Sequence, residues 1–298
     1  MRIAIAGGTG FIGEPLARRL LDGNDVAILT RNPSRVRAGR GVAWDPPEQD
    51  VWADVVAAAD VVINLAGENI GQRWTKERKA RMVSSRIEST TALIEAMQSA
   101  PPRRRTFINA SAIGYYGSRG DETLDEASPR GSGFLADLVA QWEAAAQQAE
   151  SIARLVIIRF GVVLDAHGGA LAKMLPPFRF GVGGPIGGGK QWMSWIDRDD
   201  VLRMIEWAIS HDEVRGIYNA ASPEPARNRD FTRELGCALH RPAFLPVPAF
   251  ALKLMFGEMA EGTVLPSQRA LPSRALAEGF AFHYPRLGEA LAHSLTRS

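Results

Sequence analysis

A buried-strand pattern runs straight into three glycines at the start of this chain, where residues 1–13 read MRIAIAGGTGFIG. Ile3, Ala4, Ile5 and Ala6 form an apolar run without alternation, as a parallel strand covered on both faces would. Glycines at 7, 10 and 13 follow, where the chain must turn too tightly for side chains. A helical pattern over residues 14–21 comes next. Strand, glycine turn and helix N-terminus in that order suit a pyrophosphate. Backbone N–H groups and the positive helix end face the anion, and the glycines let it approach. The spacing is Gly-x-x-Gly-x-x-Gly rather than the Gly-x-Gly-x-x-Gly of many dinucleotide turns, and a glycine triplet alone is a weak signal. Its position between strand and helix gives it weight against the alternative of an ordinary strand–turn–helix corner. Gly7, Thr9, Gly10, Phe11, Ile12 and Gly13 are the candidate contacts.

The same alternation continues. Strand patterns over 26–30, 60–66, 106–111 and 155–160 are separated by helical patterns, the longest at 76–97 and 134–150. Strands alternating with crossover helices predict an α/β fold with a parallel, doubly wound, Rossmann-like sheet, ligands lying at the strands' C-terminal edge. Residues 195–210 read as regular structure again, and 216–221 (GIYNAA) as one more strand of that sheet. Glycine and proline crowd 168–190, which reads as a looped, mobile stretch. These shifts divide the chain into a binding domain (1–164 with 195–222) and a smaller, discontinuous C-terminal substrate lobe (165–194 with 223–298).

Composition excludes several classes. At 298 residues, 46% hydrophobic and 23% charged, the chain is long and apolar enough for a substantial core. A net charge of +2 argues for neither nucleic acid nor a membrane surface. The basic run Arg103–Arg105 reads as a solvated helix-to-strand loop. No run approaches the length of a membrane span, and the N-terminus is already strand rather than signal peptide. One cysteine, Cys237, allows no internal disulfide, so the cytoplasm is the expected compartment; its helical setting predicts a core residue rather than a nucleophile. The five histidines lack metal-ligand spacing, so no metal is expected.

The second strand pattern ends in Arg31, where an NAD site usually carries Asp or Glu for the ribose 2′-hydroxyl. A guanidinium there, with Arg35 close behind, fits a 2′-phosphate and favours NADP(H) over NAD. A solvated loop arginine is the alternative. The 60–66 strand ends in small residues, and Leu65, Ala66, Gly67 and Glu68 join the candidate cofactor contacts because small side chains let a cofactor lie against the backbone.

These pieces together resemble the extended short-chain dehydrogenase/reductases. Residues 72–75 (QRWT), 85–90 (SRIEST), 111–117 (SAIGYYG), 191–196 (QWMSWI) and 257–260 (GEMA) narrow the resemblance to an atypical subfamily called epimerase family proteins or nucleoside-diphosphate-sugar epimerases. The tail 279–285 (GFAFHYP) resembles that group's small C-terminal extension. The resemblance covers essentially the whole chain. It implies NADP(H) at the glycine turn and a small-molecule substrate, with dimerisation through the two long helices. Arg86 stands near the position of the family's active-site Asn and is a further cofactor candidate.

The family's chemistry normally uses Ser, Tyr and Lys, the last two as Tyr-x-x-x-Lys on one helix face. This chain has no Tyr or Lys between Gly117 and Ala172; Phe134 and Leu138 stand where they would be. Ser111 or Ala112 occupies the serine position. Ser111, Tyr115 and Tyr116 are the remaining hydroxyl candidates at the ligand edge. Asp197 stands where close relatives carry His. Arg179 and Lys190 flank a glycine-rich stretch of the second lobe and are candidates to meet an anionic substrate group. Two readings compete: an oxidoreductase or epimerase-like enzyme with a non-standard proton donor, and a non-catalytic NADP(H) sensor or scaffold. A weaker third is another phosphate-bearing ligand at the glycine turn.

Overall fold

The computed structural model describes residues 1–46 and 50–296. In chain order it contains β1 (Arg2–Ala6), α1 (Gly13–Leu20), β2 (Asp25–Thr30), β3 (Arg40–Ala43), α2 (Val51–Ala58), β4 (Val61–Asn64), α3 (Lys76–Gln98), β5 (Thr106–Ala112), β6 (Thr123–Leu124) and α4 (Phe134–Gln147). There follow β7 (Arg154–Phe160), β8 (Val162–Leu164), α5 (Gly169–Arg179), β9 (Trp192–Met193), β10 (Trp195–Asp197), α6 (Arg198–Ser210), β11 (Gly216–Ala220) and β12 (Ala226–Arg227). The chain ends with α7 (Asn228–Ala238), α8 (Ala249–Phe256), β13 (Arg269–Ala270), α9 (Ser273–Ala277) and α10 (Leu287–Thr296).

Seven strands make one parallel sheet in the order β11-β7-β5-β4-β1-β2-β3. This is the doubly wound α/β sheet that the alternation predicts. The chain winds outward from β1 through β2 and β3, then crosses back to β4 on β1's other side. The order reverses between β1 and β4, the switch point beyond whose C-terminal strand ends sheets of this kind bind their ligands. The glycine turn leaves β1 at that point.

Successive strand side chains point to opposite faces, so a sheet covered on both sides needs two apolar layers. Ile3, Ile5, Ile28, Ile63, Ile108 and Val156 pack with Leu16 of α1 and Ile205 of α6 on one face. Ala4, Ala6, Leu29, Val62, Phe107 and Ile157 pack with Leu93 of α3 and Ala146 of α4 on the other. Each buried Leu, Ile or Phe contributes about 1.5–3 kcal/mol before entropy is subtracted. A third core gathers Leu171, Leu175 and Phe178 of α5 with Phe231 and Leu235 of α7 and Leu291 of α10.

The structure corrects several expectations. β3 and α2 were not legible in the sequence: β3 is an edge strand that buries Val42 alone, and α2 (VWADVVAA) carries apolar residues around most of its circumference. The 168–190 stretch is not all loop, because α5 occupies its first half. Leu171, Leu175 and Phe178 recur at helical spacing and face the third core, and the glycines of 181–189 conceal them. Cys237 is exposed, not core, because α7 turns Phe231, Leu235 and Gly236 inward instead. The 103–105 run is not solvated throughout: Arg105 is buried and donates to the Met97 carbonyl at 3.0 Å, while Arg103 pairs with Asp60.

Candidate functional site

β1 delivers the chain to the switch point at Ala6, and Gly7 turns it with φ of 77°, a conformation that strains any residue with a Cβ. A Cβ on Gly7 would also lie 2.7 Å from the Leu65 carbonyl and 2.9 Å from the Ala66 nitrogen, so the turn presses on the chain leaving β4. A Cβ on Gly13 would collide with the Gly7 carbonyl oxygen. Gly10 N–H closes the loop onto that carbonyl at 3.0 Å, and Glu14 N–H bonds the Gly10 carbonyl at 3.0 Å. The amides of Phe11, Ile12 and Gly13 have no hydrogen-bond partner among the described residues. Unspent donors at a helix N-terminus beside a cradle that admits no Cβ fit a dinucleotide pyrophosphate. The Phe11 ring packs on Gly168 and Gly169, and Arg198, held by Asp165 at 2.7 Å, lies 5.3 Å from its centroid. Thr9 is exposed on the same turn.

Leu29 of β2 pairs with Ala6, so Arg31 leaves the sheet at the same edge as Gly7. Arg31 and Arg35 are exposed and pair with no carboxylate among the described residues. Beyond β4, Leu65 N–H bonds the Ala6 carbonyl at 2.9 Å and Glu68 N–H bonds the Ser85 hydroxyl at 3.0 Å. The Arg86 guanidinium lies against Gly67, donating to the Glu68 carbonyl at 3.2 Å and the Met82 carbonyl at 3.1 Å, with the Trp142 ring 5.1 Å away. Burial pushes its pKa down to about 10, with Glu68 opposing, so Arg86 stays charged at neutral pH. A buried network holds α3 in register behind it. Asn64 donates to Thr90 and to Asn109, and Thr90 accepts from Trp142 while donating to the Arg86 carbonyl at 2.7 Å.

The hydroxyl candidates separate into two environments. Ser111, Arg159 and Asn219 are level with one another across β5, β7 and β11. Ser111 donates to Glu143 of α4 at 2.5 Å, and Glu143 takes two bonds from Arg159, at 2.8 and 2.7 Å. Arg159 also donates to the Tyr116 hydroxyl at 2.9 Å. That hydroxyl shares its one proton between the Asp125 carbonyl and the Asn219 side-chain oxygen, each 2.8 Å away. Ser111, Tyr116, Glu143 and Arg159 are all buried. Burial pushes the Tyr116 hydroxyl up to about 12 against the pull of Arg159. Burial alone opposes the charge on Arg159, but the bonds and attraction of Glu143 outweigh it and hold that guanidinium above its ordinary value. Tyr115 differs. It is half-buried, its ring lies 3.6 Å from the Arg159 guanidinium carbon, and its hydroxyl has no protein partner among the described residues.

A model of the NAD dependent epimerase/dehydratase family matches residues 3–221, and a domain of unknown function, DUF1731, matches 247–294. The chain belongs to the NAD dependent epimerase/dehydratase family. Human epimerase family protein SDR39U1 is 37% identical, over 98% of this chain and 98% of its own length. Its chloroplastic homologue from Arabidopsis thaliana is 39% identical, over 98% and 86%. The crystal structure of the human protein (isoform 2) with NADPH superposes at a TM-score of 0.90, covering all of both chains at 35% identity. A nucleoside-diphosphate sugar epimerase from Corynebacterium glutamicum gives 0.79 at 32% identity, across 99% of this chain and 58% of that one.

In this epimerase-family chain, the helix face expected to carry Tyr and Lys is an apolar wall. Phe134 meets Trp74 edge-on at 5.1 Å, with the Lys79 ammonium 5.1 Å from its ring. Leu138 is buried with Trp74, Met82, Val139 and Met259. Asp197 caps α6 through the Asp199 amide at 2.7 Å and accepts from Ser294 at 3.2 Å, while His293 lies 3.0 Å away. It therefore ties α10 to the sheet side. Arg179 and Lys190 are exposed without a carboxylate partner among the described residues. Among the described residues no three His, Cys, Asp or Glu side chains are grouped to hold a metal. Among the described residues no helix is long and apolar enough to cross a membrane. The Glu143–Arg159 pair escaped sequence reasoning. Its only signal was two charged residues inside otherwise apolar segments, which the sequence alone does not pair.

Proposed function

We propose that this protein is an NADP(H)-dependent oxidoreductase or epimerase-like enzyme acting on a small carbonyl or sugar-nucleotide substrate, in the cytoplasm and as a homodimer. The carrying observation is the glycine cradle, with its unspent amides at 11–13 and the unpaired Arg31 at the same sheet edge. NADPH in the crystal structure of the human relative supports the cofactor assignment. The cofactor would supply hydride chemistry. The protein's own part begins with the amides of Phe11, Ile12 and Gly13, which take the pyrophosphate, and Arg31, which takes the 2′-phosphate. The Leu65–Gly67 backbone forms the opposite wall, and Arg86 beside Gly67 keeps a fixed positive charge in it without a lysine. Ser111 and Tyr116 brace the floor through Glu143 and Arg159. Tyr115 is the hydroxyl free to exchange a proton with a substrate oxygen, and the Arg159 guanidinium against its ring holds that ring in place. In this reading 1–164 with 195–222 bind the cofactor, while 165–194 with 223–298 close over the substrate.

Arg31→Ala weakens NADPH binding about tenfold and leaves NADH binding unchanged, because only the 2′-phosphate loses its charge-assisted partner. Fluorescence titration with both nucleotides measures this, and equal losses would remove Arg31 from the cofactor site. Turnover is tested with NADPH and a panel of carbonyl and sugar-nucleotide substrates. Tyr115→Phe then lowers kcat roughly 100-fold or more with NADPH affinity intact, the contribution expected of a proton donor. Unchanged kcat in that variant rules Tyr115 out as donor.

The apolar wall at Phe134 and Leu138 favours a second reading, a dinucleotide sensor or scaffold. Tight NADPH binding without turnover of any panel member selects it.

A further inference from the structure

The third core leaves one end of the molecule apolar and uncovered. α8 (AFALKLMF) buries none of its eight residues, and Phe250, Leu254 and Met255 stand out from it. Phe180, Val182 and Phe244 stand out beside them, these six ranging from 53% to 83% exposed. The segments form one surface. Leu245 N–H bonds the Gly183 carbonyl at 3.3 Å, Val247 N–H bonds the Pro185 carbonyl at 2.8 Å, and Ile186 pairs with Val247 as a parallel bridge, leading directly into α8. Scattered exposed apolar residues are ordinary, whereas a contiguous group marks an interaction surface.

The charge around this surface has one sign. Residues 166–196 and 240–257 contain five Lys and Arg and no Asp or Glu. Arg241 donates to the Arg179 carbonyl at 3.2 Å, which places its guanidinium beside the backbone that leads into Phe180. The flanking carboxylates are engaged: Asp165 pairs with Arg198 at 2.7 Å, Asp197 caps α6, Glu258 pairs with Lys79 at 2.9 Å and Glu261 with Lys253 at 2.7 Å. That leaves Lys173, Arg179, Lys190 and Arg241 without a carboxylate partner among the described residues. The whole-chain charge of +2, which argued against a membrane, averages this asymmetry away.

We propose that this end of the molecule is an interfacial membrane-binding surface that recognises anionic lipid. Bulky apolar side chains enter the headgroup–acyl boundary while a cationic rim stays at the phosphate level. A second copy of this chain is disfavoured, since a two-fold contact would set the basic rim against itself. A protein partner needs a complementary surface, whereas rings that project rather than line a cleft insert into fluid acyl chains without one. The surface lies outside the residues assigned to cofactor and proton transfer.

Vesicle co-sedimentation of the full chain tests the proposal. Binding is expected to phosphatidylcholine vesicles containing roughly one quarter phosphatidylglycerol, at least about tenfold weaker binding to pure phosphatidylcholine, and release by high salt. The triple variant Phe180→Ser, Phe250→Ser, Leu254→Ser loses anionic-vesicle binding about tenfold or more, with NADPH affinity unchanged. Should that variant fail to fold, Arg179→Glu with Arg241→Glu reports the same loss through the rim. Absence of binding to either vesicle overturns the proposal, as does undiminished binding by both variants. A dimer in solution that the triple variant dissolves, without vesicle binding, overturns it in favour of a copy-to-copy interface.

Discussion

Glu143→Leu lowers the stability of this protein by about 3–5 kcal/mol, because it strands the Arg159 guanidinium in the sheet core without its counter-charge. Arg159 is 1% exposed and gives two of its bonds to Glu143. The loss is mostly the penalty of an uncompensated buried charge rather than the net worth of the pair. The double variant Glu143→Leu with Arg159→Met therefore recovers most of the stability, since replacing both partners by apolar residues is often neutral or better. Urea denaturation of the two variants and the parent makes the comparison. A single-variant loss below about 1 kcal/mol would mean that water reaches Arg159 and the pair is not a structural brace. The same experiment bears on the reaction site. Ser111 loses its acceptor in both variants and is released, whereas Tyr116 loses its cationic neighbour in the double one and keeps its bonds to Asp125 and Asn219.

Gly13→Val abolishes measurable NADPH binding, a loss of roughly 100-fold or more, because the pyrophosphate cradle cannot keep its shape around a Cβ. That Cβ would meet the Gly7 carbonyl, which is backbone and cannot rotate away, so the whole turn must shift. Some stability is lost with it, about 1–3 kcal/mol for an overpacked position. Gly23→Ala separates the two effects. Gly23 has φ of 73° but open space around its missing Cβ. It carries only backbone strain, about 1–2 kcal/mol for a left-handed non-glycine residue, and leaves NADPH affinity as it was. Equal NADPH affinities in the parent and Gly13→Val would remove the glycine turn from the cofactor site.

Much of the fold was legible because its signals are local. The apolar runs that became β1, β2, β4, β5, β7 and β11 are near-continuous, as strands covered on both faces must be. The elements that escaped are those whose signal is weak or masked. β3 buries a single residue at the sheet edge, and the apolar stripe of α5 is hidden among glycines. Cys237 was misread for a related reason: helical periodicity identifies a face, but which face turns inward is set by packing partners distant in sequence.

The site divides the same way. The sequence by itself determined the glycine cradle, the basic residue beyond the second strand and the loss of Tyr and Lys, because each depends on residue type at a fixed spacing. Only the tertiary structure decided what surrounds the three hydroxyl candidates. Ser111, Glu143 and Arg159 lie on three separate elements, and only the sheet register together with the docking of α4 brings them within hydrogen-bond distance. That juxtaposition ties down Ser111 and Tyr116 and leaves Tyr115 free. The physical reason is that a buried charge must find its partner wherever the fold places one, and no spacing along the chain records where that is.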